Sequence, residues 1–579
     1  MTLWDMTVDV LVVGSGGAGM VAALVAHDRG ARTLLIEKAP VFGGTTAMSG
    51  GALWIPNHPL MSAHNLNDSP EQALTYLHSL PGAGDGDMLR TYVTYAPRMV
   101  TYLLRGTYYR ARVLTQYPDY YPEQPGGLPG GRSLEPEPYP LRALGADATR
   151  LHPPHPQEMV LGRVMLTAEE AHRAVTQRWH GLFTVATHLL RYIMQPKGPH
   201  GRDPRLTLGN ALVARLYRSL RDRRVPLWLE TRLEDIIVQG RKVEGAVVRH
   251  PDGVLRIQVR QGLILTAGGF ARNRAWRQRF HRAPSDPDWS AVAMTDTGEV
   301  LHMAEAHGAA LGLMEHLWWN PVTLLPGSEY AWLLVIEKGL PGAILVDRFG
   351  QRFVNESAPY LDVGQAMYTP DREGRPRIPA FLIMDARARN EYPLGPLAPG
   401  KLQPWWAVPE ALRGTWLVRA NTLGELARAL GIDPAGLKAT VERFNAYART
   451  GHDPDFGRGR SAYDRYYADP NVKPNPALAE LKQPPFYAVR VYPGDIGTQG
   501  GLLTTPWAQV RHRDDGILEG LYAAGNIAAS PLGSIYPGAG GTLGPALTWA
   551  YLAALHATRA STSLTYNTKH QPAARGQSS

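Results

Sequence analysis

The sequence contains no cysteine among its 579 residues. Disulfide bonds, thiolate nucleophiles and cysteine-ligated zinc or iron–sulfur centres are therefore excluded. Redox chemistry in this chain would have to come from a bound organic cofactor. The sequence also lacks a run of five basic residues and the common nucleic-acid-binding motifs. Its net charge of +9 and pI near 9.5 therefore favour an anionic membrane surface over nucleic acid as a partner.

A secretory signal and a membrane-spanning run are missing as well. The first residues, MTLWDMTVDV, carry acidic side chains where a signal peptide carries basic ones, which predicts an intracellular, cytoplasmic protein. The apolar insertion GLFTVATHLLRYIMQP (181–196) contains His188 and Arg191 and is too short to cross a bilayer. Two interpretations stay open. The segment lies in a membrane interface, with Arg191, Lys197 and Arg202 at lipid phosphates, or it is a buried core helix.

A glycine-rich turn between two apolar strands is the clearest chemical motif that is present. VDVLVVGSGGAGMVAALVAHDRGARTLLIEK (8–38) has the pattern of a strand, a tight turn, a helix, a second strand and then Glu37. Gly14 and Gly16 let the backbone approach a pyrophosphate at the helix N-terminus, and Gly19 lets the helix pack closely on the strand. The Glu37 carboxylate can accept a hydrogen bond from a ribose hydroxyl. The motif predicts a Rossmann-type α/β domain that binds a dinucleotide.

Three further glycine-rich segments indicate FAD rather than NAD. GGTTAMSGGALW (43–54) follows the acidic residue, and LILTAGGFARN (263–273) and GLYAAGNIAAS (520–530) each follow an apolar strand. One long cofactor that is touched by distant segments is typical of FAD flavoproteins. We predict noncovalent FAD, because cysteine is absent and no histidine stands at the covalent attachment position. The predicted FAD-binding residues are Gly14, Gly16, Gly17, Ala18, Gly19, Glu37, Lys38, Gly43, Gly44, Thr45, Thr46, Ser49, Gly50, Gly51, Ala267, Gly268, Gly269, Gly525, Asn526, Gly541, Thr542 and Leu543.

These motifs, taken with three others, resemble one family of flavoproteins. The additional motifs are PDYYPE (118–123), RFVNESAPY (352–360) and IYPGAGG (535–541). Together they resemble the 3-ketosteroid Δ1-dehydrogenases, within the fumarate reductase/succinate dehydrogenase flavoprotein superfamily. The resemblance spans nearly the whole chain, apart from an insertion near 125–205 and the tail after about 560. The FAD motif is shared by many families, whereas these three motifs in this order are specific to the steroid enzymes.

Two positions separate the chain from the reductases of that superfamily. Fumarate-type reductases carry an arginine acid five residues after the asparagine of their VNE motif, where this chain has Tyr360 after Asn355. They also carry a histidine before a Thr-x-Gly-Gly motif, where this chain has Gly497. Phenols replace the cations that hold a dicarboxylate, and this replacement suits a neutral ketone.

The resemblance implies a role for each of four residues. The Tyr536 hydroxyl and the Gly540 amide would hold the C3 oxygen of a 3-ketosteroid and stabilise its enolate. Tyr360 would remove the C2 proton with Tyr120 as relay, and flavin N5 would take hydride from C1. Tyr121 is an alternative relay. The implied activity is FAD-dependent 1,2-dehydrogenation of 3-ketosteroids in steroid or sterol degradation, with an external electron acceptor. The alternatives are a fumarate-reductase-like enzyme that reduces another enone and a flavin-binding electron-transfer protein.

The predicted organisation has two domains. Residues 1–316, which include the insertion about 125–205, and 493–565 would form the FAD domain, a parallel doubly wound sheet with an added smaller sheet. Residues 317–492 would form an inserted α+β catalytic domain, and the polar tail 566–579 is expected to be disordered. Thr167 and Glu170 have the spacing of a capping box and predict a helix start.

Several aromatic and histidine residues have a structural interpretation. Tyr108, Tyr117 and Tyr121 are interpreted as packing residues. Trp318 and Trp319 either seal the interface between the domains or line the steroid pocket, and packing is favoured for at least one. HPPHP (152–156) is interpreted as a surface loop, and we expect no metal site.

Overall fold

The computed structural model describes residues 4–176 and 178–559, and the tail 566–579 lies outside the described residues. No helix within those two ranges is both long enough and apolar enough to cross a bilayer. The strands are β1 (Met6–Val13), β2 (Thr33–Ile36), β3 (Leu53–Trp54), β4 (Ala111–Val113), β5 (Ser133–Pro136), β6 (Tyr139–Pro140), β7 (Met159–Val160), β8 (Val164–Met165), β9 (Arg205–Leu206), β10 (Leu227–Trp228), β11 (Arg232–Gln239), β12 (Lys242–His250), β13 (Gly253–Leu265), β14 (Leu311–Gly312), β15 (Leu317–Thr323), β16 (Trp332–Leu333), β17 (Ala343–Val346), β18 (Ala380–Met384), β19 (Val418–Ala420), β20 (Phe486–Thr498), β21 (Gly501–Leu502), β22 (Gln509–Arg511) and β23 (Ile517–Ala523).

The helices pack around two large sheets. They are α1 (Gly17–Asp28), α2 (Gly44–Met48), α3 (Pro70–Ser79), α4 (Gly86–Gly106), α5 (Ala168–Thr176), α6 (Arg178–Met194), α7 (Leu208–Asp222), α8 (Arg274–Phe280), α9 (Glu299–Ala306), α10 (Tyr360–Ala366), α11 (Ala386–Glu391), α12 (Leu423–Leu430), α13 (Pro434–Thr450), α14 (Ala462–Tyr466) and α15 (Leu543–Ala557).

The larger sheet has a parallel centre, as the α/β prediction requires. Strands β10, β2, β1, β13 and β23 pair in parallel in that order. Strand β12 pairs antiparallel with β13, β11 pairs antiparallel with β12, and β22 pairs antiparallel with β23. Strand β2 is buried along its whole length, which is typical of a parallel strand covered by helices on both faces. A smaller sheet of β3, β5 and β4 accompanies the larger one.

The helices α1 and α15 begin beside each other at the carboxyl ends of the parallel strands. Gly19 lets α1 pack closely on the turn after β1, because a Cβ there would lie 1.8 Å from the Gly14 carbonyl oxygen. Helix α15 is buried along most of its length and packs on α1. The open ends of both helices therefore point to the same edge of the sheet, where parallel α/β folds bind their ligands.

The second large sheet is antiparallel and comes from residues 317–498. Its order is β16, β15, β20, β18, β17, with β19 also paired to β20. The long strand β20 crosses this sheet, and the chain then returns to the larger sheet. The sequence-derived domain boundaries stay a prediction.

Helices α5 and α6 form a hairpin within the insertion. The predicted capping box is confirmed: the Glu170 amide donates to Thr167 Oγ1 at 3.2 Å, and the Thr167 amide donates to Glu170 Oε2 at 2.9 Å. One face of α6, with Val185, Leu189 and Tyr192, packs in a small apolar cluster. The opposite face of α6 presents four exposed apolar side chains to solvent: Phe183, Leu190, Ile193 and Met194.

Candidate active site

A continuous cavity of about 980 Å³ runs through the FAD-type domain into the inserted domain and the α5–α6 hairpin. We call its first part the glycine half, defined by lining residues in 13–18, 36–52, 266–268, 525–526 and 540–543. We call its second part the apolar half, defined by lining residues in 158–185, 332–337 and 390–402. The side chains of Tyr120, Tyr360 and Tyr536, the tyrosine cluster, also line this cavity.

The glycine half fits FAD by shape and by its donors. Gly14 has φ +102°, and a Cβ there would lie 2.5 Å from the Thr266 carbonyl oxygen, so only glycine keeps the turn open. The N-cap residues of α1 and α15, Gly16 and Thr542, make no side-chain cap, although the Gly17 amide of α1 donates to Thr46 Oγ1 at 3.0 Å. The remaining backbone N–H groups at the two helix starts can face an anion. The predicted residues that line it are Gly14, Gly16, Gly17, Ala18, Glu37, Lys38, Gly44, Thr45, Thr46, Ser49, Gly50, Gly51, Ala267, Gly268, Gly525, Asn526, Thr542 and Leu543.

Glu37 is held in place by a residue that the sequence analysis did not select. Glu37 Oε2 accepts from the Ser15 amide at 2.9 Å and from Ser15 Oγ at 2.7 Å, and Oε1 accepts from the Ala39 amide at 3.0 Å. Ser15 Oγ in turn accepts from the Gly43 amide at 3.1 Å. Ser15 therefore joins the first two glycine turns. Its position inside the GSGGAG turn was the available signal.

Four glycines predicted to bind the cofactor do not line the cavity. Each instead makes room for a neighbour that a Cβ would meet. Gly19 makes room for Gly14, Gly43 for Val213, and Gly269 for Thr498. Gly541 lies against the ring of Tyr536, where a Cβ would come within 2.9 Å of it. Their small size therefore shapes the walls of the site, and their contact with the cofactor stays a prediction.

The tyrosine cluster brings together three distant segments of the chain. The Tyr120 hydroxyl donates to the Tyr360 hydroxyl at 2.8 Å. The ring centroids lie 5.3 Å apart for Tyr120 and Tyr360, 5.2 Å for Tyr120 and Tyr536, and 5.4 Å for Tyr360 and Tyr536. All three side chains are buried. Three phenols that the motifs place far apart therefore share one pocket.

Tyr120 is positioned by the buried acid beside it. Asp119 accepts from the Trp54 indole at 2.8 Å and from Arg132 at 2.7 Å, while Arg132 also pairs with Asp68 at 2.6 Å. Burial raises the pKa of Asp119 to about 6, and Arg132 counters this rise. The Tyr120 amide donates to the carbonyl of Pro537 at 3.0 Å. The segment that carries Tyr120 is thus tied directly to the segment that carries Tyr536.

Tyr360 begins α10 directly after the NES loop, and a buried ion cluster holds that loop. Glu356 pairs with Arg352 at 2.7 Å and with Arg458 at 3.1 Å. The Lys338 ammonium donates to the carbonyls of Glu356 and Ala358 at 3.0 and 2.6 Å. These contacts anchor the loop directly before Tyr360. The NES motif therefore contributes its charge to positioning this tyrosine.

Tyr536 and Gly540 lie on the turn that leads into α15. Gly540 has φ +96°, and a Cβ there would lie 2.5 Å from both the Ala52 carbonyl oxygen and the Trp54 amide. The requirement for glycine thus comes from the protein backbone as well as from any ligand. The Trp318 ring packs against Tyr536 with centroids 5.1 Å apart.

Burial dominates the protonation of the cluster. It raises the pKa values of Tyr120 and Tyr360 well above the ordinary value, and neighbouring phenols raise both further. Burial also raises the pKa of Tyr536, whereas hydrogen bonds from Tyr360, Thr542 and the Gly540 amide lower it. The Tyr120 hydroxyl likewise lowers the pKa of Tyr360. The hydrogen bond with Tyr536 raises the pKa of Tyr360, so the Tyr120 bond offsets only part of the rise and the three phenols are neutral at neutral pH.

The neighbouring tyrosines pack in one apolar cluster, as interpreted, and also make contacts that the sequence did not predict. The Tyr121 hydroxyl donates to Asp362 at 2.7 Å, whereas the Tyr120 hydroxyl donates to Tyr360. Tyr117, interpreted as packing, lines the cavity, and its hydroxyl lies 2.5 Å from the Tyr467 hydroxyl. The YDRYY run near α14 was the signal for Tyr467. Tyr108 is partly exposed at the surface, as expected of a residue outside the site.

The two tryptophans pack rather than line the large cavity. Trp318 contacts Tyr536, and Trp319 contacts Tyr368 with centroids 5.0 Å apart. Both are buried, which agrees with the packing interpretation. In the loop 152–156, His152 faces the carbonyl of Pro153 at 2.8 Å. No group of side chains suited to holding a metal ion occurs among the described residues.

The comparisons with known proteins cover nearly the whole chain. Residues 9–543 match the family model described as "FAD binding domain". The chain is 41% identical over 567 residues to 3-oxosteroid 1-dehydrogenase of Mycobacterium tuberculosis (strain ATCC 25618 / H37Rv), covering 95% of this chain and 98% of that protein. It is 33% identical over 568 residues to 4-oxocyclohexanecarboxylate 2-dehydrogenase of Sinomonas cyclohexanicum, covering 94% of this chain and 92% of that protein.

A solved structure is similar over the same length. The crystal structure of 3-ketosteroid delta1-dehydrogenase from Sterolibacterium denitrificans in complex with 1,4-androstadiene-3,17-dione has a TM-score of 0.92 and 42% sequence identity, and the match covers 96% of this chain and 100% of that chain. The family resemblance read from the motifs is therefore confirmed, as is the α/β FAD-binding fold with its parallel sheet. The chain belongs to the FAD-dependent 3-oxosteroid 1-dehydrogenase family of flavoprotein oxidoreductases.

Proposed function

We propose that this protein introduces the C1–C2 double bond into 3-ketosteroids, converting a 3-oxo-Δ4-steroid into a 3-oxo-Δ1,4-steroid. The observation that carries the proposal is the tyrosine cluster, placed in one cavity with a glycine half that fits FAD and an apolar half. The relative crystallised with 1,4-androstadiene-3,17-dione supports a steroid of this type as the ligand. The site presents phenols and a backbone amide to its ligand, which suits a neutral ketone.

The Tyr536 hydroxyl and the Gly540 amide are the proposed carbonyl donors. Both would donate to the C3 oxygen and stabilise the negative charge that develops there when C2 loses its proton. Burial raises the pKa of Tyr536, which keeps its hydroxyl protonated as a donor at neutral pH, and its hydrogen bonds with Tyr360, Thr542 and the Gly540 amide counter part of this rise. Gly541 and the Trp318 ring both pack against the ring of Tyr536 and hold it in place.

Tyr360 is the proposed base for the C2 proton. Its raised pKa makes a standing phenolate costly, so the proton must leave through a hydrogen-bonded partner. Tyr120 is that partner, at 2.8 Å, whereas Tyr121 is bonded to Asp362. FAD, when bound, supplies the hydride acceptor for C1. Loss of a proton from C2 and of a hydride from C1 leaves the new double bond.

The direct experiment is an anaerobic titration of the purified flavoprotein. A 3-oxo-Δ4-steroid should bleach the flavin, and mass spectrometry should show a product lighter by two hydrogens with the double bond at C1–C2. The anionic ketone 4-oxocyclohexanecarboxylate, taken from the relative's name, is the matched alternative and should reduce the flavin far more slowly. Faster reduction by that ketone, or reoxidation by fumarate, would contradict the steroid proposal.

We propose that the FAD is held noncovalently. The chain has no cysteine, and no histidine occurs among the lining residues of the glycine half. Denaturing the protein with acid and removing the precipitate should leave all the flavin in the supernatant. Flavin that stays with the polypeptide would contradict noncovalent binding.

We also propose that the protein works at a membrane surface and takes up poorly soluble steroids, including sterols with intact side chains, from the bilayer. The α6 face is exposed, with Phe183 74% and Met194 73% accessible to solvent. Leu161 and Leu402 are 68% and 62% exposed and also line the apolar half of the cavity. The cavity therefore reaches the surface among exposed apolar side chains. A bilayer is the occupant that would cover such residues and deliver an apolar substrate.

The expected lipid phosphate contacts need a correction. Arg191 pairs with the buried Asp203 at 2.9 Å, and Arg202 donates to the carbonyls of Leu151 and His152. Both guanidinium groups serve the fold, so the expectation that they meet lipid phosphates is wrong. Lys197 is the member of the predicted trio that stays at the surface, where it lies over the Tyr192 ring. Apolar insertion should therefore outweigh charge in membrane binding.

Co-sedimentation with vesicles tests the membrane proposal. The wild-type protein should pellet with anionic vesicles and lose little binding at high salt. Phe183→Ser combined with Leu190→Ser should release the protein while keeping turnover of a soluble steroid. Tyr108→Ser with Val254→Ser is the matched control, because these apolar residues are exposed elsewhere and line no part of the cavity. Wild-type protein that stays in the supernatant would contradict the proposal.

A further inference from the structure

We propose that a single buried water molecule, bound beside the FAD site, positions Tyr536. A small cavity of about 20 Å³ lies next to the glycine half, with which it shares Gly525, Asn526 and Thr542. A water molecule needs about 10–15 Å³ of such volume, so the cavity has room for one. Its position is distinct from the steroid part of the large cavity.

The polar atoms around this small cavity match the hydrogen-bonding capacity of one water. Four of its lining residues have a buried polar atom without a partner among the protein atoms. Two are donors, the indole nitrogens of Trp318 and Trp549, and two are acceptors, Gln499 Oε1 and Ser530 Oγ. Leaving such groups unpaired is costly, because each loses its hydrogen bond to water without a replacement. A water accepts two hydrogen bonds and donates two, which satisfies all four atoms at once.

Two of these four partners also hold Tyr536. The Trp318 ring packs on the Tyr536 ring at 5.1 Å. The Gln499 side-chain amide donates to the carbonyls of Gly533 and Ile535 at 3.5 and 3.4 Å, on the segment that leads into Tyr536. The water therefore links a ring contact and a backbone contact of the same tyrosine. It also ties them to Ser530 and to Trp549 in α15. This positioning role rests on the proposed carbonyl-binding function of Tyr536, whereas the water site does not.

The test uses two side chains, those of Trp549 and Ser530, whose polar atoms are linked to Tyr536 only through the water. The backbone bonds of Ser530 to Gln499 and Gly533 are kept in Ser530→Ala. Trp549 packs on Tyr92, and Ser530 lies on the turn that follows β23. Trp549→Phe and Ser530→Ala should each lower kcat about three- to tenfold, the worth of one hydrogen bond, with KM changed less. Their effects on kcat and on the free energy of unfolding should be clearly less than additive in the double variant, because either change alone loosens the same water.

A matched pair gives the control. Trp416 is buried, and its indole donates directly to Thr323 Oγ1 at 2.7 Å. Trp416→Phe and Ser530→Ala should therefore be additive in the free energy of unfolding. A crystal structure of the wild-type holoenzyme should show one water within hydrogen-bonding distance of the Trp318 and Trp549 nitrogens. Additive effects of Trp549→Phe and Ser530→Ala, or no such water, would overturn the proposal.

The outcomes also separate this proposal from the proposed function. If Trp549→Phe and Ser530→Ala couple in stability but leave kcat unchanged, the water site stands and the positioning role falls. If Tyr536→Phe itself leaves turnover intact, the carbonyl role of Tyr536 falls while the crystallographic water still decides the site. If Trp549→Phe does not fold, the wild-type crystal structure alone decides.

Discussion

The glycine half and the tyrosine cluster line the same cavity but are built in different ways. The glycine half is made by backbone at the ends of strands, and turns such as Gly14 stay open because a Cβ would collide with the chain itself. The tyrosine cluster is made by side chains from three segments, each fixed by its own buried contacts. A site made of backbone is thus determined by short stretches of sequence, whereas a site made of side chains depends on how distant segments pack together. Substitutions can test this difference, because the two parts should fail in different ways.

The largest expected effect is on the tyrosine cluster. Tyr360→Phe should lower kcat by about 1000-fold or more, because it removes the proposed proton-accepting hydroxyl and keeps the ring. FAD content and steroid binding should stay near wild type. Tyr121→Phe is the control, since the Tyr121 hydroxyl is bonded to Asp362 and not to the cluster. Stopped-flow flavin reduction measures both variants, and a Tyr360→Phe enzyme with most of its turnover would remove Tyr360 from the role of base.

The next largest effect is expected in the glycine half, where a substitution should weaken FAD binding instead of slowing the chemical step. Gly14→Ala should weaken FAD binding by about 100-fold or more, because the left-handed φ and the contact with Thr266 both oppose a Cβ. Gly30→Ala is the control, because Gly30 also has a positive φ but nothing within 4 Å of a Cβ. Flavin content after gel filtration and titration with FAD measure the difference. Equal FAD loss in the two variants would show that strain in φ, and not the close approach, limits the turn.

A third substitution, at Tyr536, tests the place where the tyrosine cluster meets the glycine half. Tyr536→Phe should lower kcat/KM by about 100-fold, because one of the two proposed donors to the C3 oxygen is lost and the Gly540 amide remains. Both binding and turnover should suffer, unlike in Tyr360→Phe, because a carbonyl donor acts before and during the reaction. Steady-state kinetics with a 3-oxo-Δ4-steroid checks this split. Unchanged KM and kcat would end the assignment.

The smallest expected effect is a loss of stability in alkali. The buried tyrosines have pKa values raised in the folded state, so they stay neutral where the unfolded chain ionises at pH about 10. Their contribution to stability is therefore complete below that pH and is lost as the pH rises toward the folded-state pKa values. Tyr463→Phe should reduce the slope of the free energy of unfolding against pH, because Tyr463 is fully buried and its hydroxyl has no hydrogen-bond partner among the described residues. Denaturant unfolding across this range checks it, and an unchanged slope would contradict the account.

Sequence reasoning succeeded for features that are formed by residues close together in the chain. The βαβ turn around Gly14 and Gly19 implied its own geometry, because a helix cannot pack so close to a strand with a Cβ in between. The capping box of Thr167 and Glu170 was equally local. By contrast, the cavity-facing place of Tyr117 and its bond to Tyr467 were missed, because no short-range pattern relates residues so far apart in the chain.

The α6 segment shows the same limit in another form. Its apolar content allowed a core helix or an interfacial one, and the structure combines features of both. Val185 and Leu189 face a small apolar cluster, while Phe183 and Leu190 face solvent. Arg191 and Arg202 appeared from sequence to be surface cations, but both are used inside the protein. The sequence gives the number of charged side chains, but only the packing determines which of them remain free to bind a partner.

By itself, the sequence determined the cofactor class and the family, because glycine turns after apolar strands and three ordered motifs are short-range features. It also identified Tyr120, Tyr360, Tyr536 and Gly540 as candidates through resemblance. Only the tertiary structure decided that the three phenols share one hydrogen-bonded pocket, and which neighbouring tyrosine stands apart at Asp362. The physical reason is that burial and hydrogen-bond geometry depend on contacts between segments hundreds of residues apart, and no local pattern encodes them.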